Sequence, residues 1–311
     1  MSIIGHQKLQ NEIIKSINNN MLSHAHIIAG EKGIGKEKLV KYFACKIIGL
    51  DETRTHIDIG EWHLDKGKAS IGVNTVRSII EECNKKPFEG DKKVIIIYDG
   101  DKITFQAQNA FLKTIEEPPN NVFIFIVCED LDQVLDTIKS RCCIHKLKPL
   151  TDEEMKEFLK RDYGEIGNDK LNVAVAFGKG IPGRVKNLLS NNDFDIVREK
   201  CFQLLEDITN GNKEISLVYE KFFTDYYLMI DDILDIIITI IRDVILYKEI
   251  GSEELLINID RLSSIKDLSN VFSLAKLSDM IKIIEDTRNT LKSNVNSSLA
   301  FITMVLRMQE V

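Results

Sequence analysis

The first 150 residues alternate short apolar runs with stretches of helical periodicity. Continuous apolar runs are typical of parallel strands that are buried on both faces of a sheet, and they occur at 25–29, 94–98 and 122–127. The alternating segment 56–64 and the segment 143–147 are predicted to be further strands. The apolar spacing between these runs predicts helices at 6–18, 36–48, 73–85, 105–116 and 131–139. This order predicts an α/β fold with a parallel sheet and crossover helices.

Beyond residue 149 the pattern is helical throughout. Thr151 and Glu154 have the spacing of a capping box, which predicts that a helix begins there. The apolar segment 231–250 carries charges that would be costly in lipid, and its apolar positions recur at helical spacing, so we expect a buried core helix. A hinge is expected at 190–195. The predicted domains are an α/β P-loop domain at 1–149, a small helical lid at 150–191 and an all-α domain at 192–311.

Composition narrows the classes of function. The formal net charge is −7, which argues against a protein that coats nucleic acid through its whole surface. The start of the chain lacks the pattern of a secretory signal, so we expect a cytoplasmic protein with no membrane partner. The six cysteines include no Cys-x-x-Cys pair, and structural zinc is therefore not expected.

A phosphate-binding loop is predicted between the first strand and the following helix. Gly30, Gly33, Gly35 and Lys36 lie within a G-x-x-x-x-G-K pattern, in the strand–loop–helix context that the pattern requires. In such a loop, backbone N–H groups and the helix N-terminus face an anion, and the lysine reaches the outer phosphates. A glycine-rich turn that binds nothing is the plainer alternative.

The residue after the lysine departs from this pattern. A working loop has Ser or Thr there, whose hydroxyl holds Mg²⁺, whereas this chain has Glu37. A carboxylate can ligate a metal, but it is longer than a hydroxyl and adds negative charge beside the phosphates. We therefore expect weakened nucleotide binding, leave residual ATP or ADP binding open, and predict no metal site.

The block 94–142 resembles bacterial clamp-loader ATPases of the AAA+ class. It contains a strand, the sequence NAFLKTIEEPP at 109–119, another strand, and the triplet Ser140-Arg141-Cys142. Other parts of the chain are similar to the same family, at 3–17, 23–30, 178–189 and 294–308. Within that family the chain looks most like the delta-prime subunits of DNA polymerase III. The resemblance implies an AAA+ module with a helical lid, followed by a collar domain that builds a hetero-pentameric ring.

The resemblance also implies a degenerate nucleotide site. In hydrolysing members of the family, an Asp-Glu pair follows the strand before the NAFLKT helix. Those positions hold Tyr98 and Asp99 here; a shift by one residue would place Asp99 on the metal and Gly100 in place of the base. Family ATPases also carry a polar sensor residue after the fourth strand, and the corresponding position here is near Cys128 or Glu129. Because phosphoryl transfer depends on positioning and electrostatics, we expect no useful ATPase activity from this chain.

Two arginines match the family's pattern. Arg141 corresponds to the arginine that projects into the ATP site of a neighbouring subunit, although it could instead cap the helix predicted at 131–139. Arg184 corresponds to a second sensor, which contacts the nucleotide of its own subunit. The alternative for Arg184 is a solvated side chain after a helix that begins at Pro182.

The function implied is that of a delta-prime-like subunit of the replicative clamp loader, within the DNA polymerase III holoenzyme and not catalytic alone. The implied partners are gamma/tau-like and delta-like subunits and, through the complex, the sliding clamp and primed DNA. An ATP-hydrolysing gamma/tau-like motor subunit is the main alternative. A recombination or repair AAA+ factor that acts alone and a small-molecule P-loop kinase are further alternatives.

Overall fold

The computed structural model describes residues 3–50, 54–164, 167–190, 193–209, 214–293 and 295–311. The chain forms two compact units. The first consists of the residues up to 162 together with 179–183, and the second consists of 163–178 together with 184–311. The predicted division into three domains stays a prediction, and residues 191 and 192 of the predicted hinge lie outside the described part of the chain.

The first unit is built on a parallel five-stranded sheet with the strand order β2-β3-β4-β1-β5. This confirms the predicted α/β class. The alternating segment 56–64 contributes a strand that is shorter than the prediction. The strands are β1 (Ala25–Ala29), β2 (Ile59–Trp62), β3 (Lys93–Ile97), β4 (Val122–Cys128) and β5 (Cys143–Lys146).

Helices cover both faces of this sheet, and a separate apolar core lies on each face. Successive residues of β3 alternate between the two cores: Val94 and Ile96 belong to one, Ile95 and Ile97 to the other. This explains why the central strands are continuous apolar runs. The helices of the first unit are α1 (Gln7–Asn18), α2 (Lys36–Ile47), α3 (Val73–Cys83), α4 (Phe105–Glu116), α5 (Asp136–Lys139) and α6 (Asp152–Tyr163), which ends at the border of the unit.

The prediction of a single helix at 131–139 is wrong. A 3₁₀ turn at Leu131–Gln133 is followed by extended residues, and α5 begins only at Asp136. The side chain of Gln108 on α4 is the cause, because it donates to the carbonyl of Gln133 (2.8 Å) and accepts from the N–H of Leu135 (2.8 Å). These bonds replace those that a continuous helix would make.

The remaining elements are helical, and none of the described residues after 149 belongs to a strand. The capping box at the start of α6 is confirmed: Glu154 accepts from the N–H of Thr151 (2.9 Å), and the hydroxyl of Thr151 accepts from the N–H of Glu154 (3.3 Å). The further helices are α7 (Asn168–Gly178), α8 (Pro182–Ser190), α9 (Asp193–Thr209), α10 (Ile215–Asp225), α11 (Ile230–Ile250), α12 (Leu262–Val271), α13 (Leu274–Leu291) and α14 (Ser297–Glu310).

The apolar segment predicted to be a core helix forms α11. Its residues Ile233, Ile237, Ile240 and Val244 are fully buried in the core of the second unit, which confirms the prediction. No helix of the described residues is long and apolar enough to span a membrane.

Candidate phosphate-binding loop and arginine site

The phosphate-binding loop leaves the carboxyl end of β1 and leads into α2, as the sequence predicted. Gly33 (φ 83°) and Gly35 (φ 106°) both adopt left-handed backbone conformations, which a side chain would strain. Gly35 is the N-cap of α2, and Lys36 is its first residue. The glycines therefore shape this turn whether or not an anion is bound.

The side chain of Lys36 is folded back onto its own loop. Its ammonium donates to the carbonyl of Gly30 (2.6 Å) and to the carbonyl of Glu31 (2.9 Å). The residue is only 8% exposed, and burial lowers its pKa from the ordinary value. The group that would bind an outer phosphate is thus occupied by protein carbonyls.

The charges of acidic side chains also act on this ammonium. The charges of Glu129, Asp101 and Glu37 all act to raise the pKa of Lys36, against the larger effect of burial. The neighbouring thiol of Cys128 stays neutral at physiological pH, since burial raises its pKa to about 12. A phosphate in this loop would meet carboxylates in addition to the lysine.

The segment 179–183 packs directly on the loop. The N–H of Gly183 donates to the carbonyl of Gly33 (2.8 Å). A Cβ on Gly183 would lie 2.6 Å from Cα of Gly33 and 2.9 Å from its carbonyl oxygen, so only glycine fits. This contact fixes the loop against the segment 179–183.

A phenol stands at the predicted metal-organising position after β3. Tyr98 is 2% exposed; it stacks on His63, with 4.1 Å between ring centroids, and donates to Glu61 Oε2 (2.9 Å). Glu61 is in turn paired with Lys41 of α2 at 2.9 Å. The pKa of Tyr98 is raised by burial and by this hydrogen bond, so it is a neutral donor and not a ligand for a cation.

Asp101, which the sequence pattern did not single out, acts on Lys36, whereas Asp99 bonds elsewhere. Asp99 has a left-handed backbone (φ 54°), is exposed, and accepts from the N–H of Leu64 (3.3 Å). Asp101 is the carboxylate whose charge acts on Lys36, and its side chain is only 6% exposed. Sequence reasoning missed Asp101 because a 3₁₀ turn at Gly100–Lys102 redirects the chain, and no motif marks such a turn.

Arg141 lies just after α5. Its Nη1 donates to the carbonyl of Thr137 (2.8 Å) and to the hydroxyl of Ser140 (3.2 Å). Its Nη2 forms an ion pair with Glu116, the last residue of α4. The side chain is still 38% exposed. The capping contact that the sequence offered as an alternative is therefore present, together with a partner that the sequence did not indicate.

Family models match both ends of this chain. The model described as DNA polymerase III, delta subunit, matches residues 5–151, and the model for the C-terminal part of that subunit matches residues 193–310. The chain is also 28% identical to DNA polymerase III subunit delta' of Bacillus subtilis over 332 aligned positions, with 97% of each chain covered. The chain belongs to the DNA polymerase III delta-prime family.

Other relatives are consistent with the delta-prime family. The chain is 29% identical to subunit delta' of Escherichia coli over 205 residues, or 61% of each chain. A solved gamma subunit-related protein from Thermotoga maritima is 17% identical, with a TM-score of 0.47 over 96% of this chain and 98% of that one. With a TM-score this low, the structural similarity assigns no function. The family assignment agrees with the resemblance seen in the sequence.

Two expectations that came with the delta-prime resemblance stay predictions. Arg184 is half-buried in α8 and belongs to the second compact unit, so its sensor role stays a prediction. The finger role of Arg141 likewise stays a prediction. Among the described residues, no group of His, Cys, Asp and Glu side chains is arranged to hold a metal ion.

Proposed function

We propose that this chain is a delta-prime-like subunit of a replicative clamp loader, that it does not hydrolyse ATP itself, and that it donates Arg141 to the ATP site of a neighbouring subunit. Its partners are gamma/tau-like and delta-like subunits in a hetero-pentameric cytoplasmic ring. The neighbour's ATP cycle opens and closes a sliding clamp around primed DNA.

The observation that carries this proposal is the state of the chain's own phosphate loop. Lys36 donates into the loop's carbonyls, and the neutral phenol of Tyr98 stands where a metal-organising carboxylate is expected. These residues do not fit a magnesium nucleotide, because the hydroxyl ligand is replaced by Glu37 and carboxylates face the lysine. Residual binding of ATP or ADP without hydrolysis is compatible with this loop.

The exposed guanidinium of Arg141 supports the other half of the proposal. A planar guanidinium binds phosphate oxygens bidentately and cannot lose its charge, so it suits the stabilisation of a transferring phosphoryl group. An arginine supplied across a subunit border in this way accelerates phosphoryl transfer by about 10³–10⁵-fold.

The test is the ATPase activity of a reconstituted loader that contains Arg141→Ala. We expect DNA-stimulated turnover to fall by about tenfold or more, since one of the ring's ATP sites loses its arginine and the proposed opening and closing of the clamp requires all sites to complete one coupled cycle. Arg77→Ala changes an exposed arginine on α3 and serves as the control, which should leave turnover unchanged. The proposal is wrong if Arg141→Ala has no effect. It is also wrong if the purified chain hydrolyses ATP at the rate of a working motor subunit, as the gamma/tau-like alternative requires.

A further inference from the structure

The ion pair between Arg141 and Glu116 joins two elements that are distant in sequence. Glu116 ends α4, and Arg141 follows α5. Both side chains are accessible, with 38% of Arg141 and 42% of Glu116 exposed. An ion pair this exposed contributes only about 0–1 kcal/mol to stability. Stability is therefore a poor reason for the pair.

The position of Glu116 is also unfavourable for the helix that carries it. A carboxylate in the last turn of a helix faces the negative end of the macrodipole, which costs a few tenths of a kcal/mol up to about 1 kcal/mol. Glu117 adds a further exposed carboxylate beside it. An exposed carboxylate at this unfavourable helix position suggests that Glu116 has a function outside its own helix.

The hydrogen bonds of Arg141 leave one edge of the guanidinium open. Nη1 is engaged by Thr137 and Ser140, and Nη2 by Glu116. Among the described residues, none accepts a hydrogen bond from Nε. Nε–H is thus available to donate to a phosphate oxygen, and N–H groups on one edge of a guanidinium can bind two oxygens of one phosphate.

The frame around this arginine is fixed by buried contacts. The Nε2 atom of His24 lies 2.8 Å from the carbonyl oxygen of Ile115, which is the residue before Glu116. Gln108 on the same helix bonds to the backbone of Gln133 and Leu135, which leads directly into α5. Glu116 and Arg141 are therefore carried by elements held in a defined relation to each other.

We propose that Glu116 is a positioning residue for Arg141. Its carboxylate holds Nη2 on this subunit, so that the Nε edge of the guanidinium is presented to the phosphates of a nucleotide bound by the neighbouring subunit. This inference rests on the proposed function, because it assigns a role only if Arg141 acts on a neighbour's nucleotide.

The experiment compares Glu116→Ala, Glu116→Gln and Glu117→Ala in the reconstituted loader, with ATP titrated at saturating clamp and primed DNA. Glu116→Ala should lower kcat about tenfold and change KM for ATP by less than about twofold, because a misplaced catalytic group costs rate more than binding. Glu116→Gln should restore part of kcat, since its amide oxygen can accept from Nη2 although the charge of the carboxylate is lost. Glu117→Ala should behave like the unchanged protein, because it removes the adjacent carboxylate without touching Arg141.

A double variant shows whether Glu116 acts through the arginine. In an Arg141→Ala background, Glu116→Ala should lower kcat no further. The inference is overturned if Glu116→Ala matches Glu117→Ala, if it raises kcat, or if it lowers kcat further without Arg141. If Arg141→Ala alone has no effect, the proposed function fails as a whole. If Arg141→Ala lowers turnover and Glu116→Ala does not, only the positioning role fails.

Discussion

A pair of histidines links β1 to the edge strand β5. His26 is 3% exposed and stacks on Phe125, with 4.9 Å between ring centroids. Its Nε2 lies 2.9 Å from the carbonyl of Ser23, and its Nδ1 lies 3.0 Å from Nε2 of His145. A carbonyl can only accept, so Nε2 of His26 carries the hydrogen and Nδ1 accepts from His145. Protonation of His26 would put a hydrogen on Nδ1, so His145 would have to give up the hydrogen on its Nε2 to keep this contact.

The pH dependence of stability follows from this pair. Burial lowers the pKa of His26 to about 4, and burial also lowers the pKa of His145, although Glu12 acts to raise the latter. Between an ordinary pKa of about 6.5 and the folded value of about 4, the unfolded chain binds more protons than the folded chain. The histidine therefore supports the fold fully above about pH 6.5, and this contribution is lost as the pH falls toward 4.

We predict that the free energy of unfolding of the first unit falls between pH 7 and pH 4.5 by about 2–3 kcal/mol more than in His26→Gln. Urea titrations followed by the fluorescence of Trp62, the chain's one tryptophan, measure this because Trp62 lies in β2. Groups that titrate independently of His26 are common to both proteins and cancel in the difference, whereas His145 contacts His26 and is part of the measured effect. Parallel pH profiles for the two proteins would contradict the assignment.

At the scale of the element, α4 organises the segment that precedes Arg141. Thr104 caps the N-terminus of α4 by accepting from the N–H of Ala107 (3.3 Å). Gln108, which is 1% exposed, binds the carbonyl of Ile103 (2.9 Å) as well as the backbone of Gln133 and Leu135. One buried amide thus replaces the helical bonds that the 131–139 pattern would have made.

Gln108→Leu should lower the free energy of unfolding of the first unit by about 2–4 kcal/mol. The substitution keeps the approximate volume but leaves a buried N–H and two carbonyls without their partner, and an unsatisfied buried group costs about 1–3 kcal/mol. Gln106→Leu changes an exposed glutamine on the same helix and should cost less than about 0.5 kcal/mol. Urea denaturation followed by Trp62 measures both. Equal stabilities of the two variants would show that the amide bonds of Gln108 are dispensable.

At the scale of the whole molecule, each compact unit has its own interior. The second unit combines an apolar core around α11 with a buried polar network. Asp243, which is fully buried, accepts from the N–H (2.7 Å) and the side-chain amide (2.8 Å) of Asn258. Asn258 Oδ1 accepts from Nε (3.0 Å) and Nη2 (2.8 Å) of Arg198, which also pairs with Asp260. This network ties the segment before α12 to α9 and α11.

Arg198→Ala should destabilise the second unit by about 3 kcal/mol, because it leaves the buried oxygen of Asn258 and the charge of Asp260 without a partner. Arg261→Ala is the matched control, since it removes an exposed arginine that pairs with Glu199 of α9. An exposed pair contributes at most about 1 kcal/mol. Thermal unfolding followed by far-ultraviolet circular dichroism compares the two variants. A smaller loss for Arg198→Ala than for Arg261→Ala would refute the importance of the network.

The sequence by itself determined the order of the elements and, apart from the segment 131–139, their type. Strands buried on both faces are continuous apolar runs, Gly33 and Gly35 of the loop occupy left-handed positions, and Thr151 with Glu154 forms the predicted capping box. Pro182 begins α8 as expected. These features are local, since periodicity, backbone conformation and capping depend on residues within a few positions of one another.

Only the tertiary structure decided which polar side chains meet. Lys36 turns onto its own loop, Asp101 and not Asp99 acts on it, and Gln108 breaks the helix predicted at 131–139. The partner of Arg141 is 25 positions away along the chain, at Glu116. No periodicity encodes such pairs, because they depend on how strands, turns and helices pack and on which buried backbone groups then need a hydrogen-bond partner.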